Sequence, residues 1–321
     1  MPLQIAIIDD YQRIAASCAQ WSRLPARTQL RTFEHAFMEE DEAAAALAPF
    51  DVIVAMRERT AFPDTLLARL PKLSLLVATG GRNGAIDRDA CLRRGIIATG
   101  TRSDSSGLSG TAEMTWALIL AVVKRLPQES AALRAGRWQT GVTDVVDGKT
   151  LGIAGLGRIG ERVARAGHAF GMRVIAWSPN LTAERAAAAG TELVTKQALF
   201  ERADVVSLHL ALGRDTRAVV AREELFAMKR SAVLVNTARA GLLAPGALVE
   251  ALENAWIAGA GLDVYDTEPL PLDDPLRSFG NLVLTPHLGY VTRDNYRAFY
   301  SDALEKILAW VAGLPPDGAG G

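Results

Sequence analysis

The stretch TLGIAGLGRIGERVA, residues 150–164, decides the fold. Its glycine pattern lies directly after an apolar run and before a helical pattern, and it reads Gly155, Leu156, Gly157, Arg158, Ile159, Gly160. The first glycine permits a tight turn, the second lets the backbone approach a pyrophosphate, and the third lets the helix pack close to the strand. Backbone amides at the start of the helix then meet the phosphate charge. In this context the pattern predicts a dinucleotide-binding loop, although an isolated GxGxxG string would be weak evidence.

Outward from this loop, short runs rich in β-branched residues alternate with longer alanine-rich helical patterns. Such alternation is typical of βαβ units and of a parallel sheet covered on both faces. The candidate strands are QIAIID, DVIVAM, LSLLVAT, GIIAT, TLGIAG, MRVIAW, DVVSLHL, AVLVNT, GAGLDV and NLVLTP. A chain of 321 residues is long for one core. The predicted fold class is therefore α/β, with two doubly wound parallel-sheet domains.

Composition and charge exclude several classes of function. Lysine and arginine number 35 against 36 acids, so no broad basic surface for nucleic acid or an anionic membrane is expected. The longest apolar run, WALILAVV at 116–123, is too short to cross a bilayer. Cys18 and Cys91 have no partner at metal-binding or redox spacing, so we expect neither a metal site nor a disulfide. These features favour an unprocessed cytoplasmic protein with its function in a cleft.

The chain is expected to cross between the two domains twice. The Gly- and Ser-rich stretch TGTRSDSSGLSG, residues 99–110, predicts the first crossing and leads into a helix that starts near Thr111. The second crossing is expected just after His287. Helical spacing of apolar residues from about 292 to 312 predicts a final helix that packs back on the first domain.

The strand that follows the glycine loop ends in VIAWSPN, residues 174–180. An acid normally stands at this strand end and accepts hydrogen bonds from the adenosine ribose. Ser178 occupies that place, and it lacks the carboxylate that would repel the extra phosphate of NADP. Arg173 and Arg185 flank the strand end rather than occupy it. The residues thus leave NAD and NADP open, and Ser178 could equally be an ordinary turn residue before Pro179.

Residues with suitable chemistry follow three later strands. Arg239 follows VLVNTA, Asp263 and then Glu268 follow GAGL, and His287 follows NLVLTP. Ligands of open α/β sheets lie beyond the carboxyl ends of the strands, so these residues should share one edge with the glycine loop. Arginine can hold a carboxylate bidentately, histidine can exchange an alcohol proton, and a glutamate bonded to the imidazole favours its charged form. Singly, each could be a surface or loop residue; together they suit oxidation of a 2-hydroxy acid.

The chain as a whole resembles the D-isomer-specific 2-hydroxyacid dehydrogenase family. The resemblance rests on motifs that occur in family order along the chain: TAEMTWALILA, LRAGRW, GKTLGIAGLGRIG, ADVVSLHL, MKRSAVLVNTARAG, GLDVYDTEPLP and NLVLTPHLG. It implies that Arg239 binds the substrate carboxylate and carbonyl, that Glu268 pairs with the histidine, and that His287 is the general acid and base. The expected substrate is a small 2-oxo or 2-hydroxy acid, and family habit favours NAD.

The resemblance also implies a Rossmann cofactor domain, residues 99–288, inserted in a flavodoxin-like substrate domain, residues 1–98 with 289–321. The loop ATGGRNGAID, residues 78–87, should offer backbone amides to the substrate carboxylate. The expected substrate-binding residues of that loop are Gly80, Gly81 and Arg82. The further residues expected at the cofactor are Thr111, Thr237, Ala238 and Asp263. The long helix and LRAGRW match the arm through which family members form homodimers.

Some features leave alternatives open. The loop 78–87 departs from the small-residue GTGxD type of many members, which puts substrate size and charge in doubt. Arg57 and Arg59 could reach a second acidic group or lie in a solvated loop. Tyr290, Tyr296 and Tyr300 could shape the mouth of a pocket, but aromatic residues at helical spacing are more often core. Three histidines are expected to be structural, namely His35, His168 and His209. A non-enzymatic NAD(H)-sensing scaffold is the alternative function, and formate oxidation on the same fold is a third.

Overall fold

The computed structural model describes residues 2–81, 83–102 and 105–316, and the side chains of residues 105 and 106 are not described. The chain forms two compact units, one of residues 1–106 with 292–321 and one of residues 107–291. The boundaries between the two units lie C-terminal to the expected domain boundaries at 98/99 and 288/289. The expected domain boundaries remain predictions. Arg82 lies outside the described residues.

Twelve strands are found in the described residues: β1 Gln4–Ile7, β2 Gln29–Thr32, β3 Val52–Ala55, β4 Leu75–Ala78, β5 Ile97–Gly100, β6 Thr150–Ala154, β7 Arg173–Trp177, β8 Glu192–Leu193, β9 Val205–Leu208, β10 Val233–Asn236, β11 Gly259–Leu262 and β12 Leu282–Leu284. All ten candidate strands are confirmed. The two strands that the sequence did not predict, β2 and β8, are edge strands with mostly exposed residues. A strand with little apolar surface to bury leaves no hydrophobic run to detect.

The described α-helices are α1 Ala15–Cys18, α2 Glu40–Leu47, α3 Asp64–Leu67, α4 Arg88–Arg93, α5 Ser105–Val123, α6 Leu126–Arg134, α7 Arg158–Ala169, α8 Ala183–Ala188, α9 Lys196–Arg202, α10 Arg222–Ala227, α11 Ala247–Glu253 and α12 Arg293–Val311. Single 3₁₀ turns occur at Trp21–Arg23, Ala240–Leu242 and Pro275–Ser278. Helix α5 begins well before the expected start near Thr111, in a stretch whose serines and glycines have a weak helix preference. No helix in the described part of the chain has the length and apolar character needed to cross a bilayer.

The first unit contains a five-stranded parallel sheet in the order β2-β1-β3-β4-β5, which is the flavodoxin-like order. Its central strands are fully buried, and helix α12 packs against α1 and β4 as the sequence predicted. Tyr296 and Tyr300 of α12 are 2% and 0% exposed, which confirms them as core residues.

The second unit contains a seven-stranded parallel sheet in the order β12-β11-β10-β9-β6-β7-β8. Successive residues of its strands enter different hydrophobic clusters, as Val233 and Leu234 do, so helices cover both faces. The strand order reverses between β6 and β9, the kind of point at which doubly wound sheets bind ligands. The predicted class of two doubly wound parallel sheets, one inserted in the sequence of the other, is confirmed.

Candidate active site

The residues with acid, base and carboxylate-binding chemistry follow three adjacent strands of the second unit. Arg239 comes after β10, Asp263 directly follows β11, and His287 lies just beyond β12. Because the three strands are parallel neighbours, these residues emerge at one edge of the sheet. This is the carboxyl edge, which also carries the glycine loop after β6.

The imidazole of His287 is held by Glu268. Its Nδ1 lies 2.7 Å from Glu268 Oε2, and Glu268 Oε1 accepts a hydrogen bond from the backbone amide of Tyr265 at 3.0 Å. Burial acts to raise the pKa of Glu268, but the hydrogen bond and charge of His287, with a smaller effect of Arg239, lower it below its usual range. The pair keeps 20% and 31% of its side-chain surface exposed, so it remains open to a ligand.

The segment that carries His287 is anchored by Asp263, which is fully buried. Its carboxylate accepts hydrogen bonds from the hydroxyl of Thr285 at 2.6 Å and from the backbone amides of Leu288 at 2.7 Å and Gly289 at 2.8 Å. Burial raises the pKa of Asp263 despite these hydrogen bonds. The contacts make Asp263 a positioning residue for His287, and the cofactor contact expected of it stays a prediction.

Arg239 is placed by a buried asparagine at the end of β10. Asn236 accepts from the amide of Ala238 at 3.0 Å and donates to the carbonyl of Arg239 at 3.0 Å, which fixes the turn. The half-buried Arg239 donates from Nη1 to the carbonyl of Ala238 at 2.7 Å. Its charge also acts on Glu268. The structure therefore brings Glu268 and His287 into direct contact, and Arg239 emerges at the same edge of the sheet.

The glycine loop has the shape that a dinucleotide requires. Gly155 has a φ of 106°, and a Cβ there would lie 2.6 Å from the backbone carbon of His209. A Cβ on Gly160 would collide with the carbonyl oxygen of Gly155, whereas one on Gly157 would point into open space. Helix α7 begins at Arg158 without a side-chain cap, so no capping side chain satisfies its first amides. A pyrophosphate fits this arrangement.

The other expected cofactor residues lie in the same unit with mixed contacts. Ser178 directly follows β7 and is half-buried. Thr111 donates to the carbonyls of Gly107 at 3.0 Å and Gly289 at 3.2 Å. The hydroxyl of Thr237 is buried and shares a 2.7 Å hydrogen bond with Thr115. Thr111 and Thr237 thus have structural partners, and their roles at a cofactor stay predictions.

The expected substrate loop belongs to the first unit. Gly80 has a φ of 74°, and its amide donates to the hydroxyl of Thr101 at 2.8 Å, so this amide is already engaged. A Cβ on Gly80 would collide with the guanidinium of Arg57, which therefore lies directly against the loop. Gly81 has open space where a side chain would stand. Arg59 stacks on Tyr11 and donates to Tyr296, which makes it part of the packing of this unit.

Sequence reasoning missed Tyr265 and Ser207. The hydroxyl of Tyr265 donates to the carbonyls of Leu262 at 3.1 Å and Thr285 at 2.9 Å, so it ties the ends of β11 and β12 together. Its place between Asp263 and Glu268 in the sequence was the available clue.

The hydroxyl of Ser207 lies 2.8 Å from Nε2 of His209, and burial lowers the pKa of that histidine to about 4. The imidazole of His209 is therefore neutral near pH 7, in keeping with the structural role expected for it.

Comparison with known proteins places the chain in a family. Residues 116–289 match the model of the D-isomer specific 2-hydroxyacid dehydrogenase NAD binding domain. The chain belongs to the D-isomer specific 2-hydroxyacid dehydrogenase family. The predicted resemblance is thereby confirmed, and family membership supports an oxidoreductase that uses a nicotinamide cofactor on small 2-oxo or 2-hydroxy acids.

Individual relatives carry two different names. A glyoxylate reductase from Aeropyrum pernix is 39% identical, with 78% of each chain covered. A D-3-phosphoglycerate dehydrogenase from Methanocaldococcus jannaschii is 36% identical over 84% of this chain, which spans 51% of that relative's length. A solved phosphoglycerate oxidoreductase from Vibrio cholerae is 36% identical, with a TM-score of 0.90 and 97% and 99% of the two chains covered.

Proposed function

We propose that this chain is an NAD(P)-dependent dehydrogenase that interconverts a small 2-oxo acid and its D-2-hydroxy acid. The observation that carries the proposal is the 2.7 Å contact between His287 Nδ1 and Glu268 Oε2, at the sheet edge from which Arg239 also emerges. The unit that contains this pair also contains a glycine loop open to a pyrophosphate at Gly157. A proton donor and a dinucleotide loop in one unit suit transfer of a hydride coupled to transfer of a proton.

Each polar residue has a role in this chemistry. The nicotinamide cofactor, when bound, supplies or accepts the hydride. The guanidinium of Arg239 holds the substrate carboxylate and polarises the carbonyl oxygen next to it. Since Nδ1 of His287 is held by Glu268, Nε2 exchanges the proton with that oxygen. The ionised Glu268 stabilises the charged imidazole, so a proton is available for ketone reduction.

We assign residues 99–288 to the cofactor domain and residues 1–98 with 289–321 to the substrate domain. The glycine loop supports the first assignment, and the Gly80 turn with Arg57 against it supports the second. Gly81, which has open space above it, is the glycine suited to approach a carboxylate closely. A small aliphatic 2-oxo acid is the proposed substrate.

The test is a spectrophotometric screen of purified protein with NADH and NADPH against glyoxylate, hydroxypyruvate, pyruvate and bulkier 2-oxo acids. Oxidation of either cofactor with one of these acids is expected. Arg239→Ala should mainly raise KM, and His287→Ala should mainly lower kcat. Cofactor binding without turnover of any acid would favour the non-enzymatic scaffold, and wild-type rates in both variants would refute the residue roles.

We also propose a cytoplasmic homodimer. Trp138, Val142 and Val145 follow α6 and expose 76%, 96% and 61% of their surfaces. Large apolar side chains so close together in sequence favour a protein partner, and a second copy of this chain is the partner that the family resemblance implies. The buried free thiols Cys18 and Cys91 fit a reducing compartment. Light scattering of the purified protein should give twice the 34.3 kDa chain mass; the chain mass alone would contradict the dimer.

A further inference from the structure

The carboxyl end of β7 lacks the acid that selects NAD. Ser178 follows Trp177, the last residue of the strand, and the next acid along the chain is Glu184 in helix α8. A carboxylate at the strand end accepts hydrogen bonds from the ribose hydroxyls and repels an added phosphate. Ser178 removes that repulsion and offers a hydroxyl donor instead.

Helix α8 places a cationic side chain, Arg185, against the glycine loop that adjoins the end of β7. Nη2 of Arg185 donates to the carbonyl oxygen of Leu156 in the glycine loop at 3.0 Å. The amide of the preceding loop residue, Gly155, donates to the carbonyl of Trp177 at 2.8 Å. Arg185 and the residue before Ser178 are therefore bonded to consecutive residues of one loop, whose Cα atoms are only about 3.8 Å apart.

The guanidinium of Arg185 has N–H donors that are not used in the described contacts. Among the described contacts, Arg185 uses one of its five N–H donors, and its side chain is exposed. None of the ion pairs found in the described residues joins Arg185 to the neighbouring Glu184, so the guanidinium has no carboxylate partner there. An arginine that is held at the glycine loop by one of its N–H donors, together with a serine at the end of the adjoining strand, is a combination that suits phosphate.

We propose that Ser178 and Arg185 bind the 2′-phosphate of the cofactor, and that the chain prefers NADP(H) to NAD(H). The hydroxyl of Ser178 donates to one phosphate oxygen, and the remaining N–H groups of Arg185 donate to the others. This inference rests on the proposed function, because it requires a dinucleotide in the glycine loop. It replaces the preference for NAD that family habit favoured.

The test measures binding, so that it does not depend on finding the substrate. Isothermal titration of the wild-type protein with NADPH and NADH should give at least about tenfold tighter binding of NADPH, as expected for hydrogen bonds to a charged group. Adenosine 2′,5′-bisphosphate should likewise raise the melting temperature more than 5′-AMP does, because only the former carries the 2′-phosphate.

Three variants separate phosphate recognition from support of the loop. Arg185→Ala should weaken NADPH binding about tenfold and leave NADH binding nearly unchanged. Ser178→Asp should reverse the preference, because it restores the acid. The control is Arg173→Ala, since Arg173 begins the same strand β7 at its opposite end and also donates to a backbone carbonyl, that of Gly148 at 3.4 Å. It should leave both affinities as they are.

The outcomes distinguish the two proposals. Equal or tighter binding of NADH by the wild type would overturn the NADP(H) preference and leave the dehydrogenase intact. An equal loss of both affinities in Arg185→Ala would also overturn it, because the arginine would then only hold Leu156. Absence of binding for both cofactors would overturn this inference and the proposed function together.

Discussion

Glu268 Oε2 lies 2.7 Å from His287 Nδ1, and the second oxygen of Glu268 is held 3.0 Å from the amide of Tyr265. The amide of Tyr265 can only donate, so Oε1 of Glu268 is an acceptor. The lowered pKa of Glu268 favours the ionised carboxylate, in which Oε2 is also an acceptor and takes the hydrogen bond from Nδ1–H of His287.

Glu268→Gln should lower kcat about tenfold to a hundredfold with a smaller change in cofactor affinity. A glutamine has one acceptor oxygen, so it cannot accept from both His287 and Tyr265. The loss should appear in kcat rather than in KM, because Glu268 contacts the imidazole and not the substrate. Steady-state kinetics check this, with Glu253→Gln at an exposed helix position as control. An unchanged kcat would contradict the role of Glu268.

Asp263→Asn should disturb the segment of His287 without touching the imidazole. The carboxylate of Asp263 accepts from three donors, namely Thr285, Leu288 and Gly289. The side-chain NH₂ group of an asparagine can only donate, so at least one of these donors would lose its acceptor. A lost buried partner costs about 1–3 kcal/mol, so both the melting temperature and kcat should fall. Asp266→Asn, an exposed acid nearby, is the matched control. Wild-type stability in Asp263→Asn would show that the anchor is unimportant.

Two glycine variants of one loop should fail in different ways. Gly160→Ala places a methyl group against the carbonyl oxygen of Gly155, so the melting temperature should fall. Gly157→Ala adds a methyl group in open space, so stability should be kept while cofactor affinity falls about tenfold or more. Thermal unfolding and titration with NADPH separate these effects. Unimpaired cofactor binding by Gly157→Ala would contradict the placement of the pyrophosphate.

Asp9 should make the stability of the first unit depend on pH. It is fully buried, and burial raises its pKa from 3.8 to about 7, although its hydrogen bond with Thr60 and the charges of Arg59 and His35 act to lower it. Between these two values the folded state keeps a proton that the unfolded state releases. Stability should therefore fall as pH rises through this window, by up to about 1.4 kcal/mol per pH unit.

Asp9→Asn should flatten that dependence. The amide stays neutral, and asparagine tolerates the left-handed backbone of this residue, whose φ is 63°. The variant should melt at a higher temperature than the wild type at pH 8, and the difference should shrink toward pH 5. Asp89→Asn, an exposed acid in α4, should keep the wild-type profile. Parallel melting curves of wild type and Asp9→Asn at all pH values would contradict the raised pKa.

Much of the fold could be predicted because it depends on local patterns. The buried strands have apolar runs that show in the sequence. The glycine loop shows as well, because its tight turn and the close start of its helix leave no room for side chains at Gly155 and Gly160. The edge strands β2 and β8 could not be predicted, because they bury little and exist only through pairing with β1 and β7. The early start of α5 was missed because its first residues are serines and glycines, which have a weak helix preference.

The sequence by itself determined the strand-loop-helix at 150–164 and the types of residue that follow β10, β11 and β12. Tertiary structure alone decided which of them touch. Glu268 meets His287 across 19 residues, Asp263 meets Gly289 across 26, and Arg185 meets Leu156 across 29. The periodicity of apolar residues in the sequence shows which face of a helix or strand is buried, because side-chain direction repeats over a few neighbouring residues. A hydrogen bond between distant residues depends on where packed strands end, and only the assembled sheet fixes those positions.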